Sequence, residues 1–78
     1  MANLEKYTNV FTAAFGVTPE QAATLKYQDI QAWDSVGHMG LVAALEDAFG
    51  IMFEADDIID LSSFEKGREI LRKYNVEV

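Results

Sequence analysis

The chain has 78 residues, half of them apolar, with 13 acidic residues, 6 basic residues and a net charge of −7. This length predicts one domain, residues 1–78, with a small core, and the apolar content excludes a disordered acidic tail. The negative charge disfavours nucleic acid and anionic membranes as partners. With no cysteine and one histidine, disulfides, thiolate metal sites and imidazole-rich metal sites are excluded, and we expect no bound metal.

The first ten residues, MANLEKYTNV, lack both the basic segment and the unbroken apolar run of a secretory signal. No apolar stretch approaches the roughly 18 residues of a membrane span. We therefore expect a soluble, cytoplasmic protein with no membrane insertion.

Apolar residues at spacings of three and four predict a first helix over residues 4–15, with Asn3 as its N-cap and Gly16 just after its end. In the following TPEQAATL, Thr18 and Gln21 form a capping-box pattern around a proline at the first helical position. This pattern predicts a short helical turn inside an otherwise irregular connection that runs to about residue 32.

A second long helix is predicted from the residue after Asp34 to Phe49. Leu41, Leu45 and Phe49 form its apolar stripe, and Gly50 follows as the residue that ends it.

The remaining chain predicts one short helix and one longer helix. EADDIIDL is long enough for two turns, with acids in the first turn where the helix dipole favours them. Ser62 and Glu65 predict a capping box that opens the last helix. Its inward residues are Phe64, Ile70, Leu71 and Tyr74, and Met39, Met52 and Phe53 are also expected in the core. Three longer helices and one short third helix predict an all-α fold, a small four-helix bundle.

The segment DSVGHMGLVAALEDAFGI, residues 34–51, resembles the centre of the acyl carrier protein family, whose pattern is Asp-Ser-Leu followed by an amphipathic helix ending in Glu-Glu-x-Phe-Gly-Ile. Length, acidity and helix layout extend the resemblance to nearly the whole chain. It implies a monomeric, non-catalytic carrier in which Ser35 holds a 4′-phosphopantetheine arm. A separate Mg-dependent phosphopantetheinyl transferase would supply that arm from coenzyme A, and acyl or aminoacyl groups would be carried on its thiol as thioesters.

The local sequence agrees with this implication. With Asp34 as N-cap, Ser35 occupies the first helical position, where free backbone N–H groups and the positive end of the helix dipole favour a phosphodiester. His38 lies one turn beyond Ser35, which suggests a serine hydrolase, but so short a chain has no nucleophile elbow or oxyanion loop. We interpret His38 as non-catalytic, its ring packing on Trp33 where the chain joins the helix.

Acidic residues dominate the middle of the chain. Residues 27–65 contain nine acids and no lysine or arginine. One-signed surfaces steer oppositely charged partners, so we expect enzymes with basic docking surfaces to bind there, chiefly through Glu46, Asp47, Asp56 and Asp57. Acids between residues 54 and 65 approach the spacing of a calcium-binding loop, but Ile58 and Ile59 occupy positions that require an oxygen ligand and a glycine.

Gly37 and Gly40 depart from the family pattern, which often has acids there. Each glycine costs roughly 0.5 to 1 kcal/mol in a helix interior, so replacing both by alanine should stabilise the domain. We interpret the pair as bare backbone that lets a partner or the arm approach Ser35, which favours a specialised polyketide, nonribosomal-peptide or cell-surface pathway over bulk fatty-acid synthesis. The alternative function is a small acidic adaptor without a covalent cofactor, binding a partner helix through an apolar groove.

Overall fold

The computed structural model describes residues 2–78. This part of the chain forms five α-helices and contains no β-strand. The helices are α1 (Ala2–Phe15), α2 (Pro19–Ala23), α3 (Ser35–Phe49), α4 (Ala55–Asp60) and α5 (Phe64–Lys73). The all-α class is therefore confirmed. There is one helix more than predicted, because the capped segment after α1 forms the separate helix α2.

Several helix boundaries follow the local signals in the sequence. Thr18 Oγ1 accepts a hydrogen bond from the backbone N–H of Gln21 at 3.2 Å, and Gln21 Oε1 accepts one from the N–H of Thr18 at 2.9 Å, which completes the predicted capping box. Gly16 and Gly50 end α1 and α3 with φ values of +66° and +64°. In this left-handed region glycine has no steric penalty, so both predicted helix ends are confirmed.

Two predicted caps are wrong. α1 already includes Ala2, so Asn3 lies inside the helix and does not cap it. At α5 the cap is Ser63, whose Oγ accepts from the N–H of Lys66 at 3.0 Å. Ser62 instead pairs with the connection before α3, because its carbonyl accepts a hydrogen bond from the N–H of Tyr27 at 2.8 Å. That long-range contact shifts the helix start by one residue.

The core is built on aromatic and aliphatic side chains from every helix except α4, together with the connections. Phe53 and Phe64 are buried as predicted, whereas Met39 and Met52 are 53% and 82% exposed, so their assignment to the core is wrong. The largest fully buried side chains are Trp33, Tyr7, Phe11, Leu41, Leu45, Leu61 and Leu71. Phe64, Ile70 and Leu71 of α5 point inward as predicted, and Tyr74, just past the helix, is half-buried.

Tyr7 joins α1 to the start of α5. Its hydroxyl donates a hydrogen bond of 2.6 Å to the carbonyl of Phe64, and the two rings lie 4.8 Å apart between centroids. Burial raises the pKa of Tyr7, so the hydroxyl remains a donor. A Cβ at Gly67 would overlap this hydroxyl, so glycine is needed there for α5 to approach α1.

Candidate functional site

The connection between α2 and α3 is folded tightly on itself and on the start of α5. The N–H of Gln28 donates to the carbonyl of Trp33 at 3.0 Å, which closes a compact loop, and the N–H of Phe64 donates to the carbonyl of Leu25 at 3.0 Å. Asp29 Oδ2 accepts from the N–H of Lys26 at 2.9 Å. These bonds give the residues before α3 a defined path, which sets the direction in which α3 begins.

Asp34 and Ser35 occupy the predicted positions at the start of α3. Asp34 is extended, and its Oδ1 accepts a hydrogen bond from the N–H of Gly37 at 2.8 Å, so it is the N-cap. Ser35 is the first residue of the helix and is exposed. The carbonyl of Asp34 accepts from the N–H of His38, so the N–H groups of Ser35 and Val36 precede the first intrahelical bonds. These two donors and the positive end of the helix dipole favour negative charge near the start of α3.

Both ring nitrogens of His38 are engaged in hydrogen bonds. Its Nδ1 accepts from Trp33 Nε1 at 3.0 Å, and its Nε2 lies 2.7 Å from the carbonyl oxygen of Ile58. The two rings are within 14° of parallel with centroids 6.3 Å apart, which agrees with the predicted Trp33–His38 pair. Because both ring nitrogens are occupied, His38 is not placed to activate Ser35 as a base. The bond to Ile58 has no signal in the sequence, since it joins residues of two different helices.

Gly37 has a different role from the one its sequence position suggested. A Cβ at residue 37 would overlap the backbone carbonyl oxygen of Ala32, so the glycine lets the helix pack against the preceding loop. The expectation that alanine at residue 37 stabilises the domain is therefore wrong. A Cβ at Gly40 would meet no atom within 4 Å, so a side chain could be added there without a clash.

Of the four acids predicted to bind partners, two are exposed and two are partly or fully buried. Asp47 and Asp56 are exposed. Glu46 is half-buried, and its Oε2 accepts from the N–H of Phe53 at 2.9 Å. Asp57 is only 5% exposed, so the expectation that it offers a surface charge to a partner is wrong.

The Asp57 carboxylate ties α4 to the end of α5. Lys73 Nζ and the Tyr74 hydroxyl each lie 2.6 Å from one of its oxygens, and the Tyr74 hydroxyl also accepts from the N–H of Glu54 at 2.9 Å. The hydrogen bonds from Lys73 and Tyr74 hold the pKa of Asp57 below its usual value, and the same contact raises the pKa of Lys73. This carboxylate therefore has a structural role.

Three apolar side chains are exposed near the start of α3 and on α4. Val36 is 80% exposed and Met39 53% exposed on α3, and Ile59 is 77% exposed on α4. The helical period could have predicted the two on α3, because Met39 lies two residues before the buried Leu41 and so about 200° around the helix. With Asp47 and Asp56 they give the α3 and α4 surface both apolar and acidic elements.

Two concave surfaces adjoin α3. A groove of about 770 Å³ runs between α1 and α3, lined mainly by small and aliphatic residues including Val10, Ala13, Gly40 and Ala44. A hollow of about 260 Å³, here the His38 hollow, is lined by Tyr27, His38, Ile58, Ile59, Leu61 and Ser62.

Comparison of the chain with protein-family models, with curated proteins and with solved structures finds no match. Among residues 2–78, no helix combines the length and apolar character needed to cross a membrane.

The contact between Gly37 and Ala32 predicts opposite effects at the two glycines. Gly37→Ala should lower the free energy of unfolding by roughly 1–3 kcal/mol, because the added methyl group must displace backbone. Gly40→Ala, the matched control, should raise it by roughly 0.5–1 kcal/mol, since only helix propensity changes there. Denaturant unfolding followed by Trp33 fluorescence measures both, and a Gly37→Ala variant as stable as the wild type would refute the packing role.

The hydrogen bonds of the Asp57 carboxylate should stabilise the folded chain, and protonation of this carboxylate at low pH should remove that stabilisation. At pH 7, Asp57→Asn should cost roughly 1–3 kcal/mol of unfolding free energy, whereas Asp56→Asn at the exposed neighbouring position should cost little. Because the pKa of Asp57 is lowered in the folded chain, this contribution is complete above about pH 4 and disappears as the pH falls through the lowered pKa. Urea unfolding at pH 7 and near pH 3 should therefore show a smaller difference between wild type and Asp57→Asn at the lower pH. An equal difference at both pH values would contradict the assignment.

Proposed function

We propose that the protein is a carrier that tethers acyl or aminoacyl intermediates as thioesters on a 4′-phosphopantetheine arm attached to Ser35. The observation that carries the proposal is the exposed position of Ser35 as the first residue of α3, directly after the Asp34 cap. The resemblance of residues 34–51 to the acyl carrier protein family supplies the chemistry. In this proposal α1, α3, α4 and α5 correspond to the four helices of a carrier bundle, and α2 is a short addition in the first connection.

The arrangement at Ser35 fits a covalently attached phosphate better than an internal nucleophile. The N–H groups of Ser35 and Val36 and the helix dipole favour a negative charge at this point, and His38 is turned toward Trp33 and Ile58. A serine that lacks a neighbouring base depends on a second enzyme for activation. The protein is accordingly proposed as a non-catalytic substrate of a phosphopantetheinyl transferase, acting as a cytoplasmic monomer.

The surface proposed for partner docking combines charge and apolar area. Asp47 of α3 and Asp56 of α4 supply exposed negative charge, and Val36, Met39 and Ile59 supply exposed apolar side chains. A loading or transferring enzyme with a basic rim around an apolar patch would complement this surface.

Gly40 is the residue that supports the proposed link to a specialised biosynthetic pathway. Gly37 no longer supports it, because packing against Ala32 accounts for that glycine. Gly40 is open to solvent and replaces an acid expected from the family pattern, so it still favours partners other than those of bulk fatty-acid synthesis.

The alternative, an adaptor that binds a partner helix without a cofactor, is supported by one feature, the apolar groove between α1 and α3. The two functions differ in whether the chain becomes covalently modified. Intact mass therefore separates them.

We predict that Ser35 is the sole modification site. Incubated with coenzyme A and a broad-specificity phosphopantetheinyl transferase, the wild type should gain the mass of one arm, and Ser35→Ala should gain none. Ser62→Ala, which removes another exposed serine, is the matched control and should be modified like the wild type. Modification of the alanine variant at residue 35, or failure of the wild type with several transferases, would refute the carrier function.

We also predict that the exposed acids of α3 and α4 accelerate encounter with the transferase. Asp47→Lys combined with Asp56→Lys should slow arm transfer about tenfold at low ionic strength, and the difference should shrink as salt rises. Glu20→Lys combined with Glu77→Lys changes the net charge equally at exposed sites outside α3 and α4, and should have a much smaller effect. Equal slowing by the two double variants would show that net charge alone matters, and would remove the docking surface from the proposal.

A further inference from the structure

The hydrogen bonds of His38 define both its tautomer and its charge. The Ile58 carbonyl can only accept, so the Nε2 that lies 2.7 Å from it carries a proton. The Trp33 indole N–H can only donate, so the Nδ1 that lies 3.0 Å from it carries a lone pair. The observed arrangement therefore requires a neutral imidazole.

The same two bonds connect three parts of the chain. Trp33 belongs to the loop before α3, His38 to the first turns of α3, and Ile58 to α4. α4 is six residues long and ends at Asp60, so the N–H four residues beyond Ile58 lies outside the helix. The histidine thus satisfies a carbonyl that the end of α4 leaves without an intrahelical partner.

In the described part of the chain, no carboxylate lines the His38 hollow. The His38 hollow contains one other titratable side chain, that of Tyr27, whose ring lies 5.5 Å from the imidazole between centroids. At the N-cap of α3, the Asp34 carboxylate accepts a hydrogen bond from the N–H of Gly37. On α4, Asp57 is bonded to Lys73 and Tyr74, and Asp60 is exposed at the helix end. Segment 61–63 adds the aliphatic Leu61 and the neutral Ser62 to the hollow.

We propose that His38 is a proton-operated latch that holds α4 against α3 when neutral and releases it when protonated. A proton on Nδ1 would place two donors face to face, the imidazolium N–H and the indole N–H. Trp33 is fully buried and packs on Phe11 and Phe15, whereas His38 is partly exposed, so the imidazole is the ring that moves. Its bond to Ile58 is then lost as well.

Release would affect α4 more than the other helices. A helix of six residues is not stable alone, and α4 is tied at its first turn by Asp57 and near its end by the histidine. Loss of the second tie would widen the His38 hollow and loosen the exposed side chain of Ile59. The latch operates without any modification of Ser35, so it is independent of the carrier proposal.

The protein is well suited to a test, because it contains one histidine and one tryptophan. His38→Gln keeps an amide that can donate to Ile58 but cannot titrate between pH 5 and pH 8. On lowering the pH from 7.5 to 5.5, the Tm of the wild type should fall by about 5 °C more than the Tm of His38→Gln. The titration of the carboxylates is common to both proteins and cancels in this comparison.

A measurement on the wild type alone provides the second test. The ring nitrogen chemical shifts of His38 at pH 7.5 should report the Nε2–H tautomer, and the indole proton of Trp33 should exchange slowly with solvent. As the histidine titrates, the fluorescence of Trp33 and the exchange rate of its indole proton should change with the same midpoint. An Nδ1–H tautomer, or an indole signal unchanged through the titration, would overturn the proposal even if His38→Gln failed to fold. Equal pH dependence of Tm in the two proteins would also overturn it.

Discussion

The burial of the Trp33 indole is the constraint on which the arrangement of the site depends. Its ring stacks on Phe15 at 5.2 Å and meets Phe11 edge to face at 5.6 Å, which anchors the loop to α1. An indole N–H buried so completely needs an acceptor, and His38 supplies one. Because Asp34 follows Trp33 directly, anchoring the indole also sets where the cap forms and therefore where Ser35 is presented.

Long-range polar contacts hold the shorter elements in place in a chain whose core is small. A domain of this size buries a modest fraction of its surface. Each buried hydrogen bond is therefore a larger share of the total free energy of unfolding than in a large protein. Tyr7 ties α1 to α5, Asp57 ties α4 to the end of α5, and His38 ties α4 to α3. Two of these three contacts involve α4. None of the largest fully buried side chains lies on this helix. These polar contacts hold α4 in place together with the packing of Ile58 against the core.

Local patterns in the sequence predicted the local features of the fold. Asp34 and Gly50 define the two ends of α3 through backbone requirements that neighbouring residues alone determine, and both predictions are confirmed. Ser62 failed as a cap because its carbonyl pairs with Tyr27, far away in the chain. Asp57 failed as a surface charge because its partners, Lys73 and Tyr74, lie 16 and 17 residues further along the chain and reach it only when α5 packs.

The contact between Gly37 and Ala32 has a consequence for exchanging parts between proteins. Residues 32–38 behave as one unit, since any side chain at residue 37 would push against the loop that carries Trp33. A chimaera that receives a foreign α3 with a larger residue at this position would therefore inherit a displaced loop, even if every residue facing the core were retained. Transplanting the loop together with the first turn of the helix would keep their relative placement, so the natural boundary for recombination lies before residue 32.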